Sequence, residues 1–327
     1  MSIKKVKLQN FTVFNEIEVD FSSGVNVIIG ENGTGKTHLM KGIYMISRPK
    51  AEHGKNFDAV REYFQSTNVE VIRSDKMDQA LIYTEYDEIG IRCSIFNNDS
   101  TEIKKMNTSK DLVWDNVFIP AKDMLTHSKG FVSLYDERYM PFDKSYKDII
   151  SKSMLTNLKK IPELGKAILP KLEELIGGKV VIENEVFYIQ KANGERVSFS
   201  LEAEGIKKIA IIWQLIINGS ISKGSVLFWD EPEANINPKL LKDVAEILLE
   251  LSRNGVQVFV ASHNYIFAKY IEVLMKDTDN VSFHSLYKTE DGAKCETNRD
   301  FRELKHNSIV SSFDKLLDQV FELNLGE

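Results

Sequence analysis

The 327-residue sequence predicts an α/β protein whose core is a mainly parallel sheet, with an inserted antiparallel β subdomain and a helical segment. Three short apolar runs, at 25–29, 226–229 and 258–261, each precede a segment with helical periodicity. Repeated strand–helix units of this kind favour a parallel sheet covered by helices. Alternating apolar residues between positions 80 and 95, bounded by polar turns, indicate the antiparallel strands of the insertion.

The predicted organisation is discontinuous along the chain. The sheet core takes residues 1–47 and 180–290, the inserted β and helical subdomain takes 48–179, and a C-terminal helical segment takes 291–327. Within the insertion, residues 143–177 show two helical patterns, the second of which ends at Gly177. Residues 180–189, at the start of the second core segment, return to a strand pattern. Pro238 opens a later helix, which Gly255 closes.

Composition excludes several classes of protein. The net charge of −6 leaves no global positive field for nucleic acid, so any contact with DNA must come from a local patch. Two cysteines provide no disulfide framework, and neither a secretory leader nor a membrane-spanning segment is evident. We therefore expect a cytoplasmic protein.

A phosphate-binding loop is the strongest motif in the sequence. Residues 30–37 read G-x-x-x-x-G-K-T between a β-branched run and a helical pattern. Glycines at these positions let backbone N–H groups surround phosphate oxygens, and the following helix directs its positive end at them. Lys36 is expected to reach the β- and γ-phosphates. The residues predicted to bind ATP here are Asn32, Gly33, Thr34, Gly35, Lys36, Thr37 and His38.

A second acidic motif ends the run at 226–229. Asp230 follows a buried strand and is predicted, with the Thr37 hydroxyl, to hold Mg²⁺. Glu231 is one residue further along and can activate the water that attacks the γ-phosphate. The alternative is a buried strand that ends in an ordinary acidic turn. The phosphate loop upstream favours the Mg²⁺ interpretation over this alternative.

Together these segments resemble ABC-type ATPases. Asp230 and Glu231, followed by the sequence PEANINP, are similar to the Walker B motif and D-loop of that class. His263 ends an apolar strand 33 residues after Asp230 and resembles the switch histidine, which implies that it senses the γ-phosphate. The opening segment 6–21 is similar to that of RecF, SMC and OLD proteins. Its Phe11 and Phe14 lie either near the base or simply in the core.

The signature motif of the class is expected at the start of a helix upstream of Walker B. Ala203, Glu204 and Gly205 occupy this position, and Ala203 stands where the family has serine. The resemblance implies that these residues contact the ATP of a second subunit through backbone N–H groups and the helix dipole, with Lys207 or Lys208 as further candidates. This form of the motif is similar to that of small bacterial AAA-type ATPases near OLD and antiphage systems. No glutamine marks the Q-loop, where Lys122 and Asp123 are the polar candidates.

The resemblance implies an ATPase that uses ATP and Mg²⁺, with Glu231, His263 and Lys36 as catalytic residues. It implies a homodimer formed on ATP binding and a partner effector in DNA-related or antiviral processes, with DNA or RNA as a further candidate partner and no membrane association. The alternative is a slowly hydrolysing, nucleotide-gated scaffold that controls a separate nuclease or toxin. An ABC transporter subunit fits less well, because of Ala203 and the RecF-like start.

Overall fold

The computed structural model describes residues 2–47, 58–74, 77–87, 89–106, 115–138 and 140–325. Fourteen strands run through this part of the chain, as follows: β1 (Ile3–Phe11), β2 (Phe14–Asp20), β3 (Val25–Gly30), β4 (Gln79–Tyr86), β5 (Ile89–Phe96), β6 (Thr101–Met106), β7 (Asn116–Ile119), β8 (Gly178–Glu183), β9 (Val186–Lys191), β10 (Arg196–Ser198), β11 (Val226–Asp230), β12 (Gln257–Ser262), β13 (Val281–Thr289) and β14 (Gly292–Asn298).

Ten α-helices connect or follow these strands: α1 (Lys36–Ile46), α2 (Ala59–Phe64), α3 (Asn68–Val71), α4 (Phe131–Glu137), α5 (Lys144–Ser153), α6 (Glu163–Ile176), α7 (Glu204–Ile217), α8 (Pro238–Arg253), α9 (Tyr265–Leu274) and α10 (Ser308–Leu325). Within the described ranges, no helix is long and apolar enough to cross a membrane.

The central layer is a six-stranded sheet in the order β14-β13-β3-β12-β11-β7. All neighbouring strands in it are parallel except the β13–β14 pair. Every residue of β3, β11 and β12 is buried, as expected for parallel strands covered on both faces. The predicted α/β fold with a parallel core sheet is confirmed, and the ends of β3, β11 and β12 meet at one edge.

Two hydrophobic cores lie on opposite faces of this sheet. On one face, alternate residues of β3, β11 and β12 pack with α6, α7, α8 and α9. On the other face, the intervening residues pack with α1 and with a five-stranded antiparallel sheet in the order β2-β1-β4-β5-β6. A separate three-stranded sheet, β10-β9-β8, precedes α7. The helix α1, which begins in the phosphate loop, is therefore held between two sheets.

Strand pairing does not follow the predicted segment boundaries. The amino-terminal β1 and β2, assigned to the core at 1–47, belong to the antiparallel sheet, where β1 pairs with β2 on one side and with β4 on the other. Their alternate residues are buried, as in strands with one face on a core. Conversely, β7 lies inside the predicted insertion at 48–179 but is the edge strand of the parallel sheet. The segment 291–327 begins with β14, which forms a hairpin with β13, and becomes helical only at Ser308.

Candidate nucleotide-binding and hydrolysis site

The phosphate loop lies between β3 and α1, as the motif predicts. Two of its glycines, Gly30 and Gly35, are required by close packing as well as by conformation. A Cβ atom at Gly30 would lie 2.3 Å from the Leu286 carbonyl oxygen, and one at Gly35 would lie 2.5 Å from the Phe14 ring. Gly35 has a φ of 95° and directly precedes α1, so the loop turns into the helix through a conformation that side-chain-bearing residues rarely adopt. The first turn of α1 therefore directs its N–H groups into the loop.

Lys36 is buried at the base of this loop. Its Nζ donates hydrogen bonds to the carbonyl oxygens of Gly30, at 2.7 Å, and Glu31, at 3.0 Å. Burial lowers the pKa of Lys36, while the carboxylates of Glu231 and Asp230 oppose that shift. An ammonium held on two loop carbonyls in a negatively charged site is positioned to exchange them for phosphate oxygens.

Asp230 meets Thr37 at the end of β11. The Thr37 hydroxyl donates to Asp230 Oδ2 at 2.9 Å, and this contact joins two motifs that lie 193 residues apart. Burial raises the pKa of Asp230 to about 6, and the hydrogen bond from Thr37 opposes the shift. A hydroxyl and a carboxylate at this spacing form the partial oxygen set with which proteins hold Mg²⁺, leaving substrate phosphates and water as the other ligands. The residues present therefore fit the cation.

Glu231 has a left-handed backbone conformation, with a φ of 48°. Such a conformation in a non-glycine residue costs of order 1–3 kcal/mol and persists only where surrounding contacts hold it. Two contacts do so here: Glu231 N–H donates to the Ala261 carbonyl at 2.9 Å, and Lys208 Nζ donates to the Glu231 carbonyl at 2.8 Å. The carboxylate remains about one-third exposed, so it can reach a water at the mouth of the site.

His263 follows β12 and approaches the same carboxylate. Its Nδ1 lies 3.3 Å from Glu231 Oε1, and its side chain is 49% exposed. A cleft of about 520 Å³ opens beside it, between the loop residues Gly30 to Asn32 and the start of α10. The structure therefore brings Lys36, Thr37, Asp230, Glu231 and His263 together at one edge of the parallel sheet.

The other predicted loop residues have different surroundings. Asn32 lines the cleft next to His263, whereas Thr34 is buried and donates its hydroxyl to the Glu31 carbonyl at 2.9 Å. Gly33 packs near Lys288, whose Nζ would lie 3.4 Å from a Cβ atom there. His38 packs edge-on against Phe64, with ring centroids 5.7 Å apart, and burial lowers its pKa. Phe11 and Phe14 are fully buried, in agreement with the core interpretation.

The residues predicted to form the signature motif lie at the start of α7, where the sequence predicts a helix. Ala203 is the N-cap residue and provides no side-chain cap, because it lacks the family's hydroxyl. Gly205 packs against Ile236 of the D-loop, so that a Cβ atom at Gly205 would lie 3.4 Å from Ile236 Cγ1. Glu204 lines a different cleft from the one beside the phosphate loop. Within the described residues, no hydrogen bond joins Ala203, Glu204 or Gly205 to the phosphate loop of the same chain.

Lys207 and Lys208 are not available to a second subunit, which corrects the expectation from sequence. Both are almost fully buried. Lys207 pairs with Asp123, at 3.3 Å, and with Glu204. Lys208 donates to the carbonyls of Glu231 and Ala234, both at 2.8 Å. Lysine side chains on a helix usually extend into water, so the sequence alone does not indicate that these two are buried. Their burial becomes evident only from the tertiary packing around α7.

Two polar groups near the site carry roles that the motifs did not indicate. Asp123, a Q-loop candidate, is committed to its own chain, because it also accepts the Leu125 N–H at 2.8 Å. Glu233 is buried beside residues 262–264, here called the switch segment, and accepts a hydrogen bond from the Ser262 hydroxyl at 2.7 Å. Its position three residues after Asp230 was the only signal in the sequence, and an acidic residue in a turn is usually solvated.

Comparison with known proteins agrees with this geometry. The sequence profile of the family described as "AAA domain, putative AbiEii toxin, Type IV TA system" matches residues 25–268. The DNA replication and repair protein RecF of Francisella tularensis subsp. mediasiatica is 33% identical over 110 residues, which are 33% of this chain and 28% of that protein. RecF of Francisella tularensis subsp. novicida gives the same identity and coverage. The chain thus aligns with little more than a quarter of these relatives.

Solved SMC heads share the fold. The SMC head bound to the C-terminal winged-helix domain of ScpA superposes with a TM-score of 0.58 and 13% identity, covering 92% of this chain and 99% of that one. The SMC head with an extended coiled coil from Pyrococcus furiosus, bound to the C-terminal domain of ScpA, gives 0.56 and 12%, covering 98% and 99%. Since the profile covers well over half of the sequence, the chain belongs to this AAA-domain family and is a P-loop ATPase, with a segment similar to RecF and the fold of SMC heads.

Proposed function

We propose that the chain hydrolyses Mg-ATP at the edge where β3, β11 and β12 end, and that the hydrolytic cycle controls its association with a second copy and an effector. The observation that carries the proposal is the contact between Thr37 Oγ1 and Asp230 Oδ2, at 2.9 Å, with the Glu231 carboxylate next to it. This contact joins the phosphate-binding and acidic motifs in the arrangement that phosphoryl transfer requires.

In the proposed reaction, the loop N–H groups and Lys36 hold the phosphates of ATP. Lys36 leaves the Gly30 and Glu31 carbonyls and binds β- and γ-phosphate oxygens. Thr37 and Asp230 would hold Mg²⁺, which would supply positive charge to offset the charge of the phosphates. Glu231 orients the attacking water and accepts its proton, and His263, 3.3 Å from that carboxylate, contacts the γ-phosphate and responds to its loss.

The separation of the predicted signature residues from the phosphate loop supports dimerisation. Ala203, Glu204 and Gly205 make no hydrogen bond to the loop within the described part of their own chain, so we propose that they complete the site of a second copy. Leu201, two residues before the N-cap of the helix, is 81% exposed and has the apolar character of an interface residue. The uncapped N–H groups of α7 then face the second copy's nucleotide.

For the biological role, we propose that the closed dimer drives or gates a partner effector in a DNA-related or antiviral process, in the cytoplasm. The RecF name of the relatives supports a DNA-related process, and the toxin–antitoxin description of the family supports defence. The SMC heads that share the fold were solved with a bound ScpA domain, which supports a protein partner. Binding of DNA or RNA would require a local positively charged patch, since the net charge of the chain is −6.

A second candidate is a slowly hydrolysing scaffold in which ATP binding, rather than turnover, controls the effector. The observation that favours it is Ala203, which removes the hydroxyl expected to contact the γ-phosphate and leaves α7 without a side-chain cap. In this version hydrolysis only resets the assembly.

Light scattering on Glu231→Gln protein, with and without Mg-ATP, tests the proposal. Doubling of the mass with Mg-ATP supports a closed dimer, and an unchanged mass contradicts it. Cells that carry Glu231→Gln separate the two candidates: full biological activity without hydrolysis supports the scaffold, and loss of activity supports the hydrolytic cycle.

A further inference from the structure

A second carboxylate lies directly behind the proposed hydrolytic residues. Glu233 follows Glu231 by two residues in the turn that leaves β11, and it is only 6% exposed. Its Oε1 accepts a hydrogen bond from the Ser262 hydroxyl at 2.7 Å and another from the His263 backbone N–H at 3.2 Å. One carboxylate oxygen therefore connects the acidic turn after β11 to the switch segment after β12.

The Ser262 hydroxyl extends this connection into α9. It accepts the Asn264 N–H at 3.1 Å, and the Asn264 side chain in turn accepts the Phe267 N–H at 3.0 Å and caps the helix. The backbone on both sides of His263 is thus organised around Glu233. Without that carboxylate, the Ser262 hydroxyl and the His263 N–H lose their shared acceptor.

The environment excludes Glu233 from acting on water itself. Its side chain is 3% exposed, against 32% for the side chain of Glu231. Its second oxygen, Oε2, is buried and has no hydrogen-bond partner in the described part of the chain. Burial raises the pKa of Glu233, and the hydrogen bonds from Ser262 and His263 oppose that shift. Burying a carboxylate with one unpartnered oxygen is energetically unfavourable, so we look for its role in the two groups that it binds, the Ser262 hydroxyl and the His263 N–H.

We propose that Glu233 is a positioning residue for ATP hydrolysis, because it fixes the backbone of His263 so that the imidazole stays within reach of the Glu231 carboxylate and the γ-phosphate. The inference rests on the proposed function, in which Glu231 and His263 act on ATP. Glu233 acts through His263 and does not touch the phosphate loop or the nucleotide. Binding of ATP should therefore be nearly independent of it, whereas turnover should not.

Two substitutions at this position separate geometry from charge. Glu233→Ala removes both hydrogen bonds to Oε1, and we expect kcat to fall about 10- to 100-fold, a large part of what a positioned acid–base group contributes. The KM for ATP should change less than about threefold, because no contact to the phosphates is lost. Glu233→Gln keeps a carbonyl oxygen for Ser262 and His263, and should restore kcat to within about threefold of the wild type.

Glu272→Ala is a matched control. Glu272 is also a largely buried carboxylate, accepts a backbone N–H, that of Phe301, at 2.9 Å, and lies far along α9 from the site. We expect a comparable loss of thermal stability with an unchanged kcat. If Glu233→Ala does not fold, Ser262→Ala removes the 2.7 Å hydrogen bond alone and should lower kcat about threefold to tenfold at constant KM.

The measurement is steady-state phosphate release across ATP concentrations, together with equilibrium binding of a fluorescent ATP analogue. A kcat for Glu233→Ala equal to that of Glu272→Ala, or a loss in Glu233→Gln as large as in Glu233→Ala, overturns the positioning role. Glu231→Gln is measured in parallel. If it retains turnover, the proposed hydrolytic site fails; if it abolishes turnover while Glu233→Ala retains it, only the present inference fails.

Discussion

Lys208 offers a direct test of how the fold holds Glu231, the carboxylate that we propose activates water. Its buried ammonium donates to the carbonyl oxygens of Glu231 and Ala234, each at 2.8 Å, from one turn inside α7. Lys208→Met keeps an unbranched apolar stem of similar size and removes the ammonium, with its hydrogen bonds and its positive charge. We expect the turn after β11 to loosen, and Glu231, with its φ of 48°, to relax toward an ordinary backbone conformation.

The magnitude follows from the contacts. Each hydrogen bond from a charged donor contributes about 1.5–3 kcal/mol, so the loss of two costs roughly 3–6 kcal/mol before any offset. Burial lowers the pKa of Lys208, which means that the ammonium itself is held at an energetic cost that methionine removes. The net loss in the free energy of unfolding is therefore smaller than this gross figure of roughly 3–6 kcal/mol, and we expect kcat to fall about 10-fold or more.

Lys207→Met is the matched control, because Lys207 is the preceding residue on α7 and is equally buried. Its ammonium contacts Asp123 and Glu204 and makes no hydrogen bond to the turn that carries Glu231. Denaturant unfolding gives the stability of both variants, and phosphate release at saturating ATP gives kcat. Equal kcat values for the two variants would refute the argument that Lys208 positions Glu231.

Three further predictions concern particular contacts. His284 is fully buried, and burial lowers its pKa to about 3, so it stays neutral in the folded protein. The unfolded chain takes up a proton on this residue below about pH 6.5, so the wild type should lose about 2 kcal/mol of stability between pH 7 and pH 5. In urea unfolding, His284→Gln should show a flatter dependence of stability on pH. Gly205→Ala should leave the melting temperature nearly unchanged, whereas the larger side chain of Gly205→Val should clash with Ile236 and lower the free energy of unfolding by about 1–3 kcal/mol. Equal melting temperatures for the two variants would contradict this, because they would show that the D-loop can move away from the valine. Leu201→Asp in a Glu231→Gln background should keep the melting temperature but prevent the ATP-dependent increase in mass, and an unchanged dimer would remove Leu201 from the interface.

The elements nearest the phosphate loop could be predicted because their signals are local. Residues 25–29, 226–229 and 258–261 are buried on both faces, so each strand appears in the sequence as an uninterrupted apolar run. The helix after Asn237 has its proline at the first turn, and α6 ends at Gly177 with a left-handed conformation. These features depend on neighbouring residues only.

Features that depend on distant partners could not be predicted in this way. The alternation in β1 identifies a one-sided strand but not its neighbour, which is β4, more than 70 residues away. The strand β14 reads GAKCETN, is largely polar and therefore lacks a clear strand pattern. The internal roles of Lys208 and Glu233 arise only when α7 and the switch segment pack on the same turn, and no spacing rule encodes that packing.

Phosphate release by wild-type and Glu231→Gln proteins, measured at equal occupancy by Mg-ATP, tests the central claim most directly. Thr37, Asp230 and Glu231 form one site in the structure, and the Glu231 carboxylate is the exposed one that can reach water. We predict that both proteins bind ATP with similar affinity and that turnover of the variant falls at least about 100-fold. A variant that binds ATP normally and still releases phosphate at the wild-type rate would contradict the assignment of Glu231 as the hydrolytic residue.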